Sequence, residues 1–158
     1  MGMMERLSPA THARPREYLT FRLGNEEYGI DILRVQEIRG YEPPTRIANA
    51  PAFIKGVVNL RGVIVPIVDL RMRFGCERVD YNGFTVSIVL NIGQRVVGAV
   101  VDSVSDVLEI PAASVKAAPE IQSAIDSRFI TGIGQVGERM LILLDIESLI
   151  TSPDLGLA

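Results

Sequence analysis

Apolar and polar residues alternate along most of the chain after residue 18, and this period of two predicts β-strands. The alternating segments come in pairs separated by short turn sequences, as β-hairpins do. The predicted pairs are YLTFRL with EYGIDI, FTVSIVLNI with QRVVGAVV, IKGVVNL with VIVPIVDL, and FITGIGQV with RMLILLDI. A helical period is confined to short segments after Asp69, around residues 119–125 and after Asp145. The pattern therefore predicts an all-β protein with a few short helices.

The second half of the chain repeats the first half. Residues 21–38 align without gaps on residues 90–107, which places Gly24 on Gly93 and Glu37 on Asp106. Residues 54–70 align on 130–146, which places Asp69 on Asp145. We therefore expect two β-modules, over about 21–70 and 90–146, each small enough to close into a barrel and so remove its exposed edges. Two such barrels would pack face to face.

Residues 1–16 are polar and show no apolar period, so we expect a disordered N-terminal tail. The folded domain is expected over 17–150, with a short C-terminal tail over 151–158. The start lacks the apolar core of a signal peptide, and the longest apolar runs are far too short to span a membrane. We expect a cytoplasmic protein with no direct membrane insertion.

Composition excludes several classes of function. Cys76 is the only cysteine, so an internal disulfide and a multi-thiolate metal site are both excluded. A net charge of −3 gives no reason to expect nucleic acid as a partner. His12 is the only histidine and lies in the tail, so histidine-dependent catalysis and histidine metal sites are not available. On these residues we expect no histidine-dependent catalytic site and no metal site.

Two motifs resemble catalytic or cofactor sites. The segment GIGQVG, residues 132–137, matches the dinucleotide fingerprint, but a strand pattern follows where that fingerprint needs a helix. We interpret it as a glycine-rich hairpin turn and keep a small nucleotide-binding enzyme as the alternative. Asp69 and Asp145 occupy equivalent places, as the two carboxylates of an aspartic protease would. Both end apolar strands and precede short helices, which favours helix N-caps.

Acidic and basic clusters also have simpler interpretations. Asp102, Asp106 and Glu109 are spaced as the solvent face of a strand and turn rather than as a cation site. A basic cluster consists of Lys55, Arg61, Arg71 and Arg73, and we expect most of these to be solvated.

Arg61 stands apart because the two copies differ at its position. The first copy has Arg61-Gly62 where the second has Gly137-Glu138. Positions that maintain the fold should match between the copies, so an unmatched arginine at a hairpin tip is a candidate for binding a partner. An arginine that only solvates a turn is the competing interpretation.

Four segments together resemble the CheW family of chemotaxis coupling proteins. They are EYGIDILRVQEIRGY, TRIANAPAFIKGVVNLRGVIVPIVDLR, LNIGQRVVGAVVDSVSDVL and RMLILLDIE. The resemblance extends over about residues 17–150, and the run from residue 51 to 70 is its most specific part. It implies two SH3-like, five-stranded β-barrel subdomains packed around a shared hydrophobic core, with no catalytic activity and no cofactor.

The resemblance also implies partners. Members of this family couple methyl-accepting chemoreceptors to the histidine kinase CheA, binding the receptor's helical-hairpin tip and the kinase's regulatory domain. The protein would then be recruited from the cytoplasm to membrane-bound receptor arrays through protein contacts. An isolated regulatory barrel of a CheA-like kinase is the alternative, and the lack of any ATP-binding or phosphotransfer segment argues against it.

The family's receptor-facing positions can be carried over to this chain. They fall on Val35, Glu37, Gly56, Arg61, Val86 and Val107. We add Ile38 and Val100 as apolar positions expected beside the same groove. For each valine, ordinary barrel core is the competing interpretation. Kinase contacts can be expected only at the subdomain ends and not at particular residues.

Overall fold

Eleven β-strands and two short α-helices make up the part of the chain that the computed structural model describes, residues 16–76, 79–117 and 127–151. The strands of the first half are β1 (Arg16–Leu23), β2 (Glu26–Asp31), β3 (Val35–Gly40), β4 (Ile54–Leu60) and β5 (Val63–Asp69). Those of the second half are β6 (Val86–Ile92), β7 (Arg95–Val101), β8 (Ser103–Ile110), β9 (Val115–Lys116), β10 (Ile130–Val136) and β11 (Arg139–Leu144). The helices are α1 (Leu70–Arg73) and α2 (Ile146–Thr151).

Some of the elements predicted from the sequence fall outside the residues that the structure describes. Apart from Arg16 and Thr151, the two predicted tails lie outside the described residues, as does the helical segment expected around 119–125. The four predicted hairpins are all present, and both expected helices that fall within the described residues form after Asp69 and Asp145. The all-β prediction is confirmed.

The strands form two sheets. One has six strands in the order β9-β10-β11-β2-β1-β8, and the other has five in the order β3-β6-β7-β5-β4. Neighbours pair antiparallel except at β11–β2 and β5–β7, where the pairing is parallel. These two parallel pairs are equivalent in the repeat, since Leu143 pairs with Gly29 and Ile67 with Gly98.

Each sheet combines strands from both copies of the repeat. The five-stranded sheet takes β3, β4 and β5 from the first copy and β6 and β7 from the second. The six-stranded sheet takes β1 and β2 from the first copy and β8 to β11 from the second. This differs from the expectation that one copy builds one module. Exchange of the first two strands between copies makes each sheet depend on both halves of the chain.

The buried apolar side chains form three clusters, of which the largest matches the predicted shared core. The largest combines side chains of both sheets, among them Phe21, Leu90 and Leu144. A second cluster belongs to the five-stranded sheet alone and a third to the six-stranded sheet alone. A core between the sheets and a separate apolar interior for each sheet are what two SH3-like subdomains around a shared core require.

Equivalent contacts recur in the two copies. An added Cβ would lie 2.6 Å from Ile67 Cδ1 at Gly98 and 3.0 Å from Leu143 Cδ2 at Gly29, so both parallel pairs need a glycine opposite a large side chain. The predicted N-caps are confirmed, because Asp69 Oδ1 accepts the Arg71 N–H at 3.0 Å and Asp145 Oδ1 accepts the Ser148 N–H at 3.1 Å.

The GIGQVG segment is the predicted hairpin. Its residues belong to β10 as far as Val136, and Gly137-Glu138 forms the turn that leads into β11. A strand therefore follows where a dinucleotide site would need a helix N-terminus.

Candidate functional site

The candidate site lies mainly on the five-stranded sheet. Seven of its eight predicted residues are on that sheet or its β4–β5 turn, whereas Val107 lies on β8 of the other sheet. The site is centred on an ion pair between Glu37 of β3 and Arg61 of the turn. Because β3 and β4 are the two ends of the sheet order, this ion pair joins the two edges of the sheet. A small cavity of about 20 Å³ lies between them.

The backbone conformation of Arg61 is unusual for an arginine. Leu60 pairs with Val63, leaving a two-residue loop in which Arg61 has φ 52° and Gly62 has φ 88°. Two successive positive φ angles define a type I′ hairpin turn, where Asn-Gly is the preferred sequence. Residues with a Cβ adopt this region at a cost of about 1–2 kcal/mol. An arginine here is unfavourable for the turn itself, which points to a role for its side chain.

The Arg61 side chain remains accessible within its ion pair. It is 63% exposed and Glu37 is 27% exposed. The hydrogen bond from Arg61 is the main reason that the pKa of Glu37 is lowered, with a second contribution from Arg39, whose Nη1 lies 3.3 Å from the carboxylate. The site therefore presents a fixed carboxylate and a guanidinium group with donors facing solvent. An exposed pair of this kind adds little to the stability of the fold.

Apolar side chains of β3 and β6 lie on the face of the sheet opposite to Glu37. Ile38 is 44% exposed and pairs with Ile88, and Gly40 pairs with Val86 two residues along. Val35 and Val86 are half-buried against the core that the two sheets share. Ile38 is thus the accessible apolar side chain at this place, with Val86 diagonally across from it.

Gly56 contributes through the backbone. Its φ is 140°, and an added Cβ would lie 2.0 Å from the Thr45 carbonyl oxygen. Thr45 and Val57 exchange two backbone hydrogen bonds of 2.9 Å at this point. Any side chain at position 56 would push away the segment that covers β4, so Gly56 shapes the site without contacting a partner through a side chain.

The remaining two valines have opposite environments. Val100 is fully buried in the interior of the five-stranded sheet and offers no surface for contact. Val107 is 47% exposed on β8. Val107 pairs with Leu19, and the equivalent pair in the other copy is Ile38 with Ile88. The structure therefore supplies one exposed apolar residue at the same place on each sheet.

The second copy contains a counterpart of the Arg61 ion pair. Asp106 is equivalent to Glu37, and it accepts hydrogen bonds from Arg139, two residues after the turn position Gly137. Arg139 also bonds Glu27 on β2. Each copy thus has an arginine that pairs with this carboxylate, but the arginine occupies a different position along the chain in the two copies. The sequence alignment missed this because it compares equivalent positions only.

The basic cluster does not form a shared solvated patch. Arg71 is 1% exposed at its side chain and binds Asp69 through Nε and Nη2, both at 3.0 Å. Its Nη1 reaches Asp102 at 3.1 Å. Arg73 lies over the rings of the equivalent residues Phe53 and Phe129.

The expectation of solvation is wrong for Arg71, because a buried carboxylate two residues earlier requires a compensating charge. The adjacency of an N-cap aspartate and an arginine was the available signal in the sequence.

A tyrosine also belongs to the buried network around Asp69 and Arg71. Tyr81 donates its hydroxyl to Asp69 Oδ2 at 2.8 Å and stacks on Tyr41 with ring centroids 4.4 Å apart. Burial, and then the bond to Asp69, raise the pKa of Tyr81. Asp102 also accepts the Gly24 N–H at 2.7 Å, so the network ties β5, the β1–β2 turn and the β7–β8 junction together. Sequence analysis did not single out Tyr81.

Among the described residues, no helix has the length and apolar character that crossing a membrane requires.

Comparison with known proteins identifies the family. The CheW-like domain model matches residues 17–154. The chemotaxis protein CheW of Klebsiella aerogenes is 61% identical over 142 residues, which cover 90% of this chain and 86% of that protein. The chemotaxis protein CheW of Treponema pallidum is 33% identical over 156 residues, covering 95% and 91%. The crystal structure of the scaffolding protein TtCheW from Thermoanaerobacter tengcongensis superposes with a TM-score of 0.81 at 33% identity, covering 87% of this chain and 94% of that one. The chain therefore belongs to the CheW family of proteins built on the CheW-like domain.

Proposed function

We propose that this protein is a non-enzymatic scaffold of chemotaxis signalling that couples chemoreceptors to the histidine kinase CheA. Membership of the CheW family supports the general role, and relatives named chemotaxis protein CheW cover most of the chain. The observation that carries the assignment of a site is Arg61. Its backbone is unfavourable for an arginine, its side chain is exposed, and its ion pair stabilises the fold little.

The proposed receptor contact is a helical hairpin tip lying against the site. An amphipathic helix binds a surface that offers an apolar strip beside charged groups. Ile38 supplies accessible apolar area on one face of the edge strand β3, and Glu37, on its other face, supplies with Arg61 both signs of charge. Arginine residues at the centre of such contacts commonly contribute a large share of the binding energy.

The proposed mechanism is assembly rather than chemistry. Single contacts between a receptor tip and a sheet surface are modest, but linked contacts raise the effective concentration of each partner. The kinase's regulatory domain would occupy a subdomain end, leaving the receptor site free. The protein would act in the cytoplasm and join membrane-bound receptor arrays through these contacts. Signals would pass as a change in the kinase's conformational populations.

A binding experiment with purified partners tests this proposal. A receptor signalling fragment and the kinase are each immobilised, and capture of the protein is measured with each partner alone and with both together. We expect binding to each partner and a complex that contains all three. Absence of binding to either partner, or strict competition between them, would refute the scaffold role.

Charge reversal of Arg61 tests the site within the same experiment. Arg61→Glu places two carboxylates side by side and should weaken receptor binding at least about tenfold while kinase binding stays unchanged. Arg95→Glu is the matched control, because Arg95 is an exposed arginine beside another hairpin turn of the same sheet. Equal loss in both variants would mean that net charge, rather than this site, determines binding.

A further inference from the structure

Strand β8 carries a bulge beside its pairing with β1. Thr20 pairs with Asp106 and Phe21 pairs with Val104, so Ser105 is an extra residue. The first copy has the same bulge, because Val35 and Glu37 pair with the adjacent residues Leu90 and Val89. Bulges redirect side chains and are usual beside functional sites. The repeat therefore places an equivalent bulge immediately before each exposed apolar residue, Ile38 and Val107.

The residue opposite the bulge differs between the copies. Opposite the bulge of β8 lies Thr20, which is fully buried. Opposite the bulge of β3, the first bulge along the chain, the equivalent residue is Val89. Because the first bulge forms with a valine, the hydroxyl of Thr20 is not needed to form a bulge.

A buried hydroxyl must be hydrogen-bonded, and that of Thr20 bonds only to Asp106 among the described residues. Its Oγ1 accepts the Asp106 N–H at 3.1 Å, lies 3.0 Å from the Asp106 carbonyl oxygen and also contacts the Asp106 carboxylate.

Asp106 is held from its other side by Arg139. Nη1 and Nη2 of Arg139 donate to the two carboxylate oxygens of Asp106, both at 3.0 Å. Arg139 also donates Nε to Glu27 at 3.2 Å. A planar guanidinium that binds two carboxylates in this way fixes their geometry as well as their charge. The four side chains join β1, β2, β8 and β11 and hold the backbone of Asp106 in place.

Val107 follows Asp106 and lies on the opposite face of β8. Asp106 shares a face with Thr20, whereas Val107 shares a face with its partner Leu19. We propose that Thr20, Asp106 and Arg139 are positioning residues that hold Val107 in the orientation that contacts the receptor tip. This inference rests on the proposed receptor-coupling function. Fixing the contact residue beforehand lowers the entropy lost on binding.

A double-mutant cycle tests the inference. Thr20→Val removes the hydroxyl and keeps the side-chain shape, and Val89 shows that the fold accepts valine opposite the bulge. Receptor-fragment affinity is measured by calorimetry for the wild type, Thr20→Val, Val107→Ala and the double variant. We expect Thr20→Val to weaken receptor binding about three- to tenfold when it is introduced into the wild-type chain. It should cause no further loss of affinity when Val107 is already replaced by alanine. Kinase binding should be unchanged.

Three further measurements separate positioning from a general loss of structure. Thr20→Ser keeps the hydroxyl and should restore receptor affinity. The methyl signals of Val107 in NMR spectra should shift or broaden in Thr20→Val and return in Thr20→Ser. Arg139→Gln removes the ion pair on the exposed side of Asp106 and should lower receptor affinity as Thr20→Val does.

The outcomes of the cycle also separate the two proposals. If the wild type does not bind the receptor fragment, the proposed function fails. Suppose instead that the wild type binds and that Val107→Ala weakens binding. If Thr20→Val then has no effect, or weakens binding equally in the wild type and in Val107→Ala, the positioning role is refuted and the proposed function stands.

Discussion

Replacing Arg61 by asparagine separates the turn from the binding site. Arg61 and Gly62 have φ angles of 52° and 88°, and Asn-Gly is the preferred sequence for such a turn. A residue with a Cβ costs about 1–2 kcal/mol in this conformation, and asparagine adopts it more readily than arginine because its short side chain bonds locally. Arg61→Asn also removes the exposed ion pair with Glu37, which contributes little to stability. We therefore expect the free energy of unfolding to stay the same or to rise by up to about 1 kcal/mol.

Two assays on the same variant check this expectation. Urea denaturation gives the free energy of unfolding, and calorimetry with the receptor fragment gives the affinity. We expect unchanged or greater stability together with a loss of affinity of at least about tenfold. Gly137→Asn is the matched control, because Gly137 occupies the equivalent turn with φ 62°. This control should leave receptor affinity unchanged.

Two results would refute the reasoning about Arg61. A loss of more than about 2 kcal/mol in Arg61→Asn would exceed any surface contribution and show that Arg61 is structural. Wild-type affinity in a stable Arg61→Asn variant would show that the arginine does not recognise the receptor.

Three further predictions concern the fold. Arg71→Met leaves Asp69 buried without its cation and should lower the free energy of unfolding by about 3–5 kcal/mol in urea titrations; a loss below about 1 kcal/mol would contradict the buried ion pair. Gly98→Ala puts a Cβ 2.6 Å from Ile67 and should cost about 1–3 kcal/mol in the same assay, whereas Gly40→Ala, with nothing within 4 Å, should cost far less. Burial raises the pKa of all four tyrosines, so as the pH rises the tyrosines of the unfolded chain lose their protons before those of the folded protein. The contribution of these tyrosines to stability should therefore be constant up to about pH 10 and fall above it. A denaturation midpoint that increases as the pH is raised above about 10 would contradict the burial of these tyrosines.

Local features of the fold could be predicted because they depend on neighbouring residues. The hairpins follow from alternation and turn residues, and the N-cap roles of Asp69 and Asp145 follow from their place between a strand and a short helix. The distribution of strands between sheets could not be predicted. A repeat in sequence shows which strands are equivalent, but β1 and β2 can pair equally well in pattern with strands of either copy.

The geometry of the candidate site was predictable to a similar degree. Arg61 became a candidate through its mismatch with the second copy, where a glycine occupies the equivalent position with positive φ. The burial of Arg71 and of the Thr20 hydroxyl could not be read from the pattern, because each depends on partners distant in sequence. Val100 was expected beside the groove, yet strand alternation places it in the interior of the five-stranded sheet.

Titration of the protein into a mixture of immobilised receptor fragment and soluble kinase tests the central claim most directly. The measured quantity is the amount of kinase retained on the receptor surface. A scaffold with separate sites for the two partners predicts retention that rises from background, passes through a maximum and falls when excess protein saturates each partner separately. Kinase retention that does not change with added protein, or that only decreases, would contradict the claim that this protein couples receptor to kinase.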